Sequence, residues 1–200
     1  MTVSHTISGL PFPLSSSHPD WRVGANEVAA HATARSDLFA DPAGDGSAQL
    51  NAVTLLGTPP AGDFVLSARV RVGFRATYDA GVLLIWVDEQ HWAKLCFEYS
   101  PDREPMAVSV VTRGVSDDAN GFTVQGEELW LRIARIGPAY AFHASTDGSR
   151  WVFVRYFALP GAHAARFGFE AQSPMGEGCD VEFTEISFEE RTLTDLRDGS

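Results

Sequence analysis

The sequence predicts an all-β protein, an antiparallel sandwich of two sheets with little helix. Apolar runs rich in Val, Leu, Phe and Trp recur along the chain, separated by acidic, Pro or Gly punctuation, as in strands joined by turns. Side-chain character alternates with period two in the clearest of these runs, and no stretch holds a helical stripe beyond a turn or two. A sheet with one apolar face must bury it against another layer, so about a dozen short strands imply two packed sheets.

Residues 1–20 place Ile7, Leu10, Phe12 and Leu14 among Gly, Pro and Ser, which reads as an extended arm lying on the body. Residues 21–34 suit two short strands with a turn near residues 24–26, and residues 35–46 read as a Gly/Pro-rich loop carrying Asp37, Asp41 and Asp45. Residues 49–56 form one candidate strand. In residues 63–75, Phe64, Leu66, Ala68, Val70, Val72 and Phe74 alternate with a basic set that includes Arg69, Arg71 and Arg75.

The stretch 79–113 organises the rest and reads as three strands. Residues 81–87 are almost continuously apolar, as in a central strand covered on both faces. In residues 91–99, His91, Ala93, Leu95, Phe97 and Tyr99 point one way and Trp92, Lys94, Cys96 and Glu98 the other. Residues 106–113 set Met106, Val108 and Val110 against Ser109 and Arg113. With the first set taken as core, the two neighbouring strands send polar groups to one side.

Residues 114–126 read as an acidic loop; Asp118, Asn120 and Gly121 match only a truncated calcium loop without its downstream Glu. Residues 129–136 form a strand with Trp130 and Arg132 outward, and residues 140–145 and 151–159 form a hairpin whose turn contains Asp147-Gly148. Residues 165–172 set Phe167, Phe169 and Ala171 against Glu170 and Gln172. In the last strand, residues 180–189, the apolar phase switches between Phe183 and Ile186, which predicts a bulge near Thr184. The domain plan is an arm over 1–20, a sandwich over 21–190 and a polar, frayed tail over 191–200.

A net charge of -11, from 15 basic and 26 acidic residues, argues against nucleic acid or an anionic membrane as partner, since both are held by basic surface. No cationic leader with a long apolar core and no membrane-length apolar run is present in this sequence, and the expected location is cytoplasmic. Cys96 and Cys179 are expected as reduced, packed thiols.

Residues Asp79-Ala80-Gly81-Val82, Asp88-Glu89-Gln90-His91-Trp92-Ala93-Lys94, Phe97-Glu98-Tyr99, Ser109-Val110-Val111-Thr112-Arg113 and Ser116-Asp117-Asp118 resemble the regulation-of-enolase family. The resemblance runs from Trp21 through Trp130, Arg132 and the Ser145-Asp147-Gly148-Trp151 hairpin to Gln172-Ser173-Pro174 and the final strand. It implies a concanavalin A-like sandwich of jelly-roll type, the lectin and glucanase fold, whose curved sheet holds ligands on its concave face in related families. The family is a domain of unknown function, so the resemblance implies no reaction.

On this reading the concave face carries Trp92, Lys94, Glu98, Arg113, Trp130, Arg132, Glu170 and Gln172. Indole faces to stack on, with carboxylate, amide and guanidinium groups to bond hydroxyls, are the chemistry a sugar needs, and Trp92 is expected as an exposed stacking ring. The competing reading is a salt-bridged solvent face. Glycosidase chemistry needs two close carboxyls, and only Asp180 and Glu182 stand at i,i+2 on a strand, about 7 Å apart. The histidines lack metal-ligand spacing, and no nucleophile elbow, phosphate loop or zinc pattern occurs. Lys94 is expected in a structural ion pair rather than as a Schiff-base lysine. The expected function is therefore non-catalytic binding of a saccharide or other small polar metabolite, with no cofactor and no metal. The rivals are a glycoside hydrolase or lyase using concave-face carboxylates, and a protein-interaction module regulating a metabolic enzyme.

Overall fold

The computed structural model describes residues 3–16, 18, 19, 21–45 and 47–200. Residues 1, 2, 17 and 20 of the expected arm, and Gly46 of the expected loop, lie outside the described residues. In chain order the strands are β1 (Val3–His5), β2 (Leu14–Ser16), β3 (Arg22–Val23), β4 (Val28–His31), β5 (Leu38–Ala40), β6 (Ala48–Leu50), β7 (Val53–Gly57) and β8 (Phe64–Val72). They continue with β9 (Ala80–Asp88), β10 (His91–Tyr99), β11 (Pro105–Arg113), β12 (Val115–Thr123), β13 (Glu128–Ile136), β14 (Ala139–Ser145), β15 (Val152–Ala158), β16 (Arg166–Gln172) and β17 (Asp180–Glu189). Among the described residues, a single 3-10 turn, Ala162–Ala164, interrupts the β structure. No helix among the described residues is long and apolar enough to cross a membrane.

An eight-stranded antiparallel sheet, in the order β1-β2-β7-β16-β9-β10-β11-β12, packs on a seven-stranded sheet, β15-β14-β13-β8-β17-β4-β3. The fold is the expected two-sheet sandwich. Its core forms where the inward set of each strand meets the other sheet: Phe64, Leu66, Val70, Leu131, Phe142 and Phe183 from one side, Leu83, Ile85, Leu95, Phe97, Phe167 and Phe169 from the other. Phe64 meets Phe167 edge-on at 5.0 Å between ring centres, and Phe169 meets Phe183 at 4.8 Å. Burial of each such ring stabilises the fold by roughly 1.5–3 kcal/mol. The sheets approach so closely at Gly81 that a Cβ there would lie 2.5 Å from Val70 Cγ2, which explains a glycine in a buried strand.

Residues 49–56 do not form one strand: β6 and β7 are separated at Asn51-Ala52 because β6 pairs with β5 in a separate two-stranded hairpin. That hairpin lies against the outer face of the eight-stranded sheet. Leu38 and Ala40 are buried there with Leu56, Ala80, Val82, Leu84, Trp92, Cys96 and Val108, a second small core. This cover is why β9 is buried on both faces.

Residues 114–126 are mostly strand rather than loop. β12 pairs with β11 along its length and forms the sheet edge, and a polar sequence suits an edge that must stay in water. The expected bulge is present, with the register of β17 on β8 shifting between Thr184 and Ser187. Residues beyond β17 are not frayed. Leu193 and Leu196 pack on Val65, Ala134 and Ala141, across the outer face of the seven-stranded sheet. Cys96 and Cys179 are free and buried.

Candidate functional site

Strand register fixes which side chains share the outer face of the eight-stranded sheet, because directly paired residues project to the same side. Three successive rows cross it. The first runs Gly168, Leu84, Lys94, Val110, Asp118; the second Glu170, Val82, Cys96, Val108, Asn120; the third sets Gln172, Ala80, Glu98 and Met106 side by side. Lys94 and Glu98, Glu170 and Gln172 are thus brought together as expected, with Glu170 about 10 Å from the β10 backbone, two strand spacings away.

Lys94 is 2 % exposed, and its ammonium donates to Asp37 Oδ1 at 2.9 Å and to Gln172 Oε1 at 2.8 Å. Burial alone would push the ammonium toward its neutral form, but Asp37 and then Glu170 outweigh it and hold Lys94 above the usual lysine range. The expected ion pair exists with a partner the sequence reading did not choose. Asp37 reaches the site from the segment just before β5. Asn51 and Ala52 donate backbone N–H groups to the Asp37 carbonyl, and Ser36 bridges to Ser173. The far end of β5 is tied down too, where Ala40 N–H donates to Ser116 Oγ.

Glu170 is fully buried, and neither of its carboxylate oxygens has a hydrogen-bond partner. Its burial pushes the carboxyl up to about 8, against the pull of Lys94. Half-buried Glu98 is also pushed up to about 8, first by burial, with Lys94 opposing and Asp118 adding to the rise. Asp118 is raised as well, again mainly by burial. The result is a face on which four carboxyls, those of Asp37, Glu98, Asp118 and Glu170, lie around one lysine. Cys96 lies in its floor with a thiol that burial pushes up, which leaves it unreactive. Among the described residues, no group of three or more His, Cys, Asp or Glu side chains is arranged to hold a metal ion.

Four expected site residues are placed differently. Trp92 is on the right face but wholly buried under the hairpin, stacked on Trp86 with ring centres 5.8 Å apart. Half-buried Trp86, which the sequence reading did not single out, is the indole nearer to water. Arg113 pairs with His91 and so faces the other way; its guanidinium donates to the Ala158 carbonyl. The core side of β11 is Ala107, Ser109 and Val111, while Val108 and Val110 belong to the outer face, where the second core makes apolar residues welcome. Trp130 and Arg132 lie on the seven-stranded sheet, and their outward direction leads to that sheet's outer face. Trp130 Nε1–H donates to Glu185 Oε2, and Arg132 is buried beneath the C-terminal segment, donating to the Gly199 carbonyl. Asp180 and Glu182 are on that sheet too, with Asp180 paired to His31 and Arg75.

A cleft of about 780 Å³ lies elsewhere, lined by Arg22, Glu27, Arg71, Phe74, Tyr99 and Glu182 among others. Its charges are exposed or already paired, as Arg71 is to Glu128 at 3.1 Å, so among the described residues it holds no buried side-chain group without a partner. On the outer face of the eight-stranded sheet, Glu170 is such a group.

The profile of a family described as "Protein of unknown function (DUF1349)" matches residues 16–191. The chain is 29 % identical over 133 residues to Regulation of enolase protein 1 of Saccharomyces cerevisiae, covering 66 % of this chain and 67 % of that protein. A crystal structure of a functionally unknown protein from the same yeast superposes with a TM-score of 0.79 at 23 % identity, over 90 % of this chain and 96 % of the other. Carbohydrate binding module CBM66 from Bacillus subtilis superposes with a TM-score of 0.58 at 11 % identity, over 92 % and 99 %. At these identities the structural likenesses show the fold alone.

Proposed function

The chain belongs to the DUF1349 family, whose function is unknown, and from that premise we propose that it is a non-catalytic binding protein for a small saccharide-type ligand. The ligand sits in the recess formed by Asp37, Lys94, Glu98, Asp118, Glu170 and Gln172. One observation carries this reading: Glu170 is fully buried with both carboxylate oxygens unpartnered, and such a group costs stability unless something supplies donors to it. A polyhydroxylated molecule does so, and Trp86 offers it an indole. The fold shared with a carbohydrate binding module supports the same reading.

Catalysis is disfavoured by the electrostatics. An acid and base that divide a reaction between them have pKa values pushed apart, whereas Glu98 and Glu170 are both pushed the same way, to about 8. Lys94 is held charged and committed to Asp37 and Gln172, so it offers no free amine. The test is isothermal titration with mono- and disaccharides against the parent protein and the Glu98→Gln, Glu170→Gln and Trp86→Ala variants. A folded variant set that loses at least about fivefold in affinity, the low end for a contact that matters, supports the recess; unchanged affinity in all three overturns it.

A further inference from the structure

Resting on the saccharide reading above, we infer that the ligand of this recess is a cation: a polyhydroxylated body bearing an ammonium group, which seats against the Glu170 and Glu98 carboxylates. The reason is the excess of acidic over basic groups at the site. Four acids face one base, and that base gives its hydrogen bonds to Asp37 and Gln172 and none to Glu170. Arg155, whose charge acts on Asp118, is held by Asp117 at 2.9 Å. A neutral sugar can hydrogen-bond these carboxyls but supplies no counter-charge, so Glu98 and Glu170 stay protonated at neutral pH. An anionic sugar, such as a uronate or a sugar phosphate, adds to the repulsion. An ammonium supplies up to three donors and the missing charge in one compact group.

The two glutamates also make the inference measurable. Glu98 and Glu170 hold their protons to about pH 8, so at neutral pH a bound ammonium drives them to ionise and release protons. A neutral ligand does not.

The experiment is titration calorimetry at pH 7, in two buffers of different ionisation heat, with matched 2-aminoethyl and 2-hydroxyethyl glycosides of glucose, galactose and mannose, and with ethanolamine alone. Each alkyl amine stays charged at this pH. The expected result is that at least one aminoethyl glycoside binds roughly tenfold or more tightly than its hydroxyethyl twin, with net proton release, as one charge pair in a partly desolvated site gives. Glu170→Gln, which keeps the shape and removes the charge, should cut that preference severalfold and abolish most of the proton release. Equal or tighter binding of the hydroxyethyl twin overturns the cationic ligand while leaving the saccharide reading standing. Ethanolamine binding as tightly as the aminoethyl glycosides supports the cation and overturns the sugar. Binding by none of the probes overturns both.

Discussion

Asp37 and Lys94 lie 57 residues apart in the chain, yet their charged atoms meet at 2.9 Å, joining the segment that covers the outer face of the eight-stranded sheet to the floor of that face. The two ends of the pair are unequally buried, Lys94 at 2 % and Asp37 at 14 % side-chain exposure. Removing the carboxylate strands an ammonium away from water; removing the ammonium strands a carboxylate near it. Asp37→Ala should therefore cost up to about 3–5 kcal/mol and Lys94→Met only about 1–3 kcal/mol. Urea denaturation at neutral pH checks the order, and a larger loss for Lys94→Met would show that the pair's burial is not what sets its energy.

The buried carboxyls make stability depend on pH in a stated direction. Glu170 rises from 4.5 to about 8 in the folded protein, so between those values the folded state holds a proton that the unfolded chain has released. Stability contributed by this group falls as the pH climbs through that window and is level above about 8. Glu170→Gln should be more stable than the parent at pH 8, by on the order of a few kcal/mol, with the difference fading toward pH 4.5. Parallel stability profiles for the two proteins would contradict the assignment.

Trp92 and Trp86 stack on each other but should respond differently to truncation. Trp92→Ala removes a fully buried ring from the second core and should cost about 3–5 kcal/mol. Half-buried Trp86 should cost markedly less. Thermal melts of the two variants compare them directly; equal losses would mean that both rings carry the same packing.

At the hairpin between β14 and β15, Gly148 has φ 71°, and a Cβ there would lie 3.0 Å from Trp130 Nε1. Asp147 Oδ1 accepts the N–H groups of Ser149 and Arg150, which holds the Asp147 carboxyl well below the usual carboxylate range. Gly148→Val should destabilise by about 1–3 kcal/mol through the strained backbone, with ligand affinity unchanged because the turn belongs to the other sheet.

The C-terminal segment is testable through a histidine. His143 is buried beneath it, with Nε2 bonded to the Leu196 carbonyl at 2.9 Å, and burial, aided by Arg132, lowers its pKa to about 4. Deleting residues 192–200 should return His143 toward 6.5, followed by NMR titration, and expose the apolar surface under Leu193 and Leu196. In the intact chain this histidine stabilises the fold above pH 6.5 and loses that contribution as the pH falls to about 4.

Period-two alternation made β8, β10 and β13 legible in the sequence, because on these strands one face meets the main core and the other does not. The same rule misassigned Arg113. It treats every apolar face as the main core, whereas Val108 faces a second core that exists only because β5 folds back over the sheet, and Val110 shares that outer face. Asp37 could not be found for the same reason: its place beside Lys94 depends on the path of a loop, which no local pattern encodes. Asp118 was hidden by polarity, since an edge strand in water and a loop share the same composition. Trp130 and Arg132 were correctly read as outward-facing, but alternation gives a direction within a strand and does not say to which sheet the strand belongs.

The order of strands bears on how the chain is made. β16 lies between β7 and β9 in one sheet, and β17 between β8 and β4 in the other. Both are supplied by the last part of the sequence, residues 166–189. During synthesis, β7 and β9 therefore leave the ribosome with a gap between them, and β4 and β8 likewise, so each sheet waits as two unjoined halves with open edges. Neither half can be sealed until residues 166–189 arrive. Nascent chains stalled before residue 166 should remain protease-sensitive and dependent on chaperones, with native resistance appearing in one step once β17 is free of the exit tunnel.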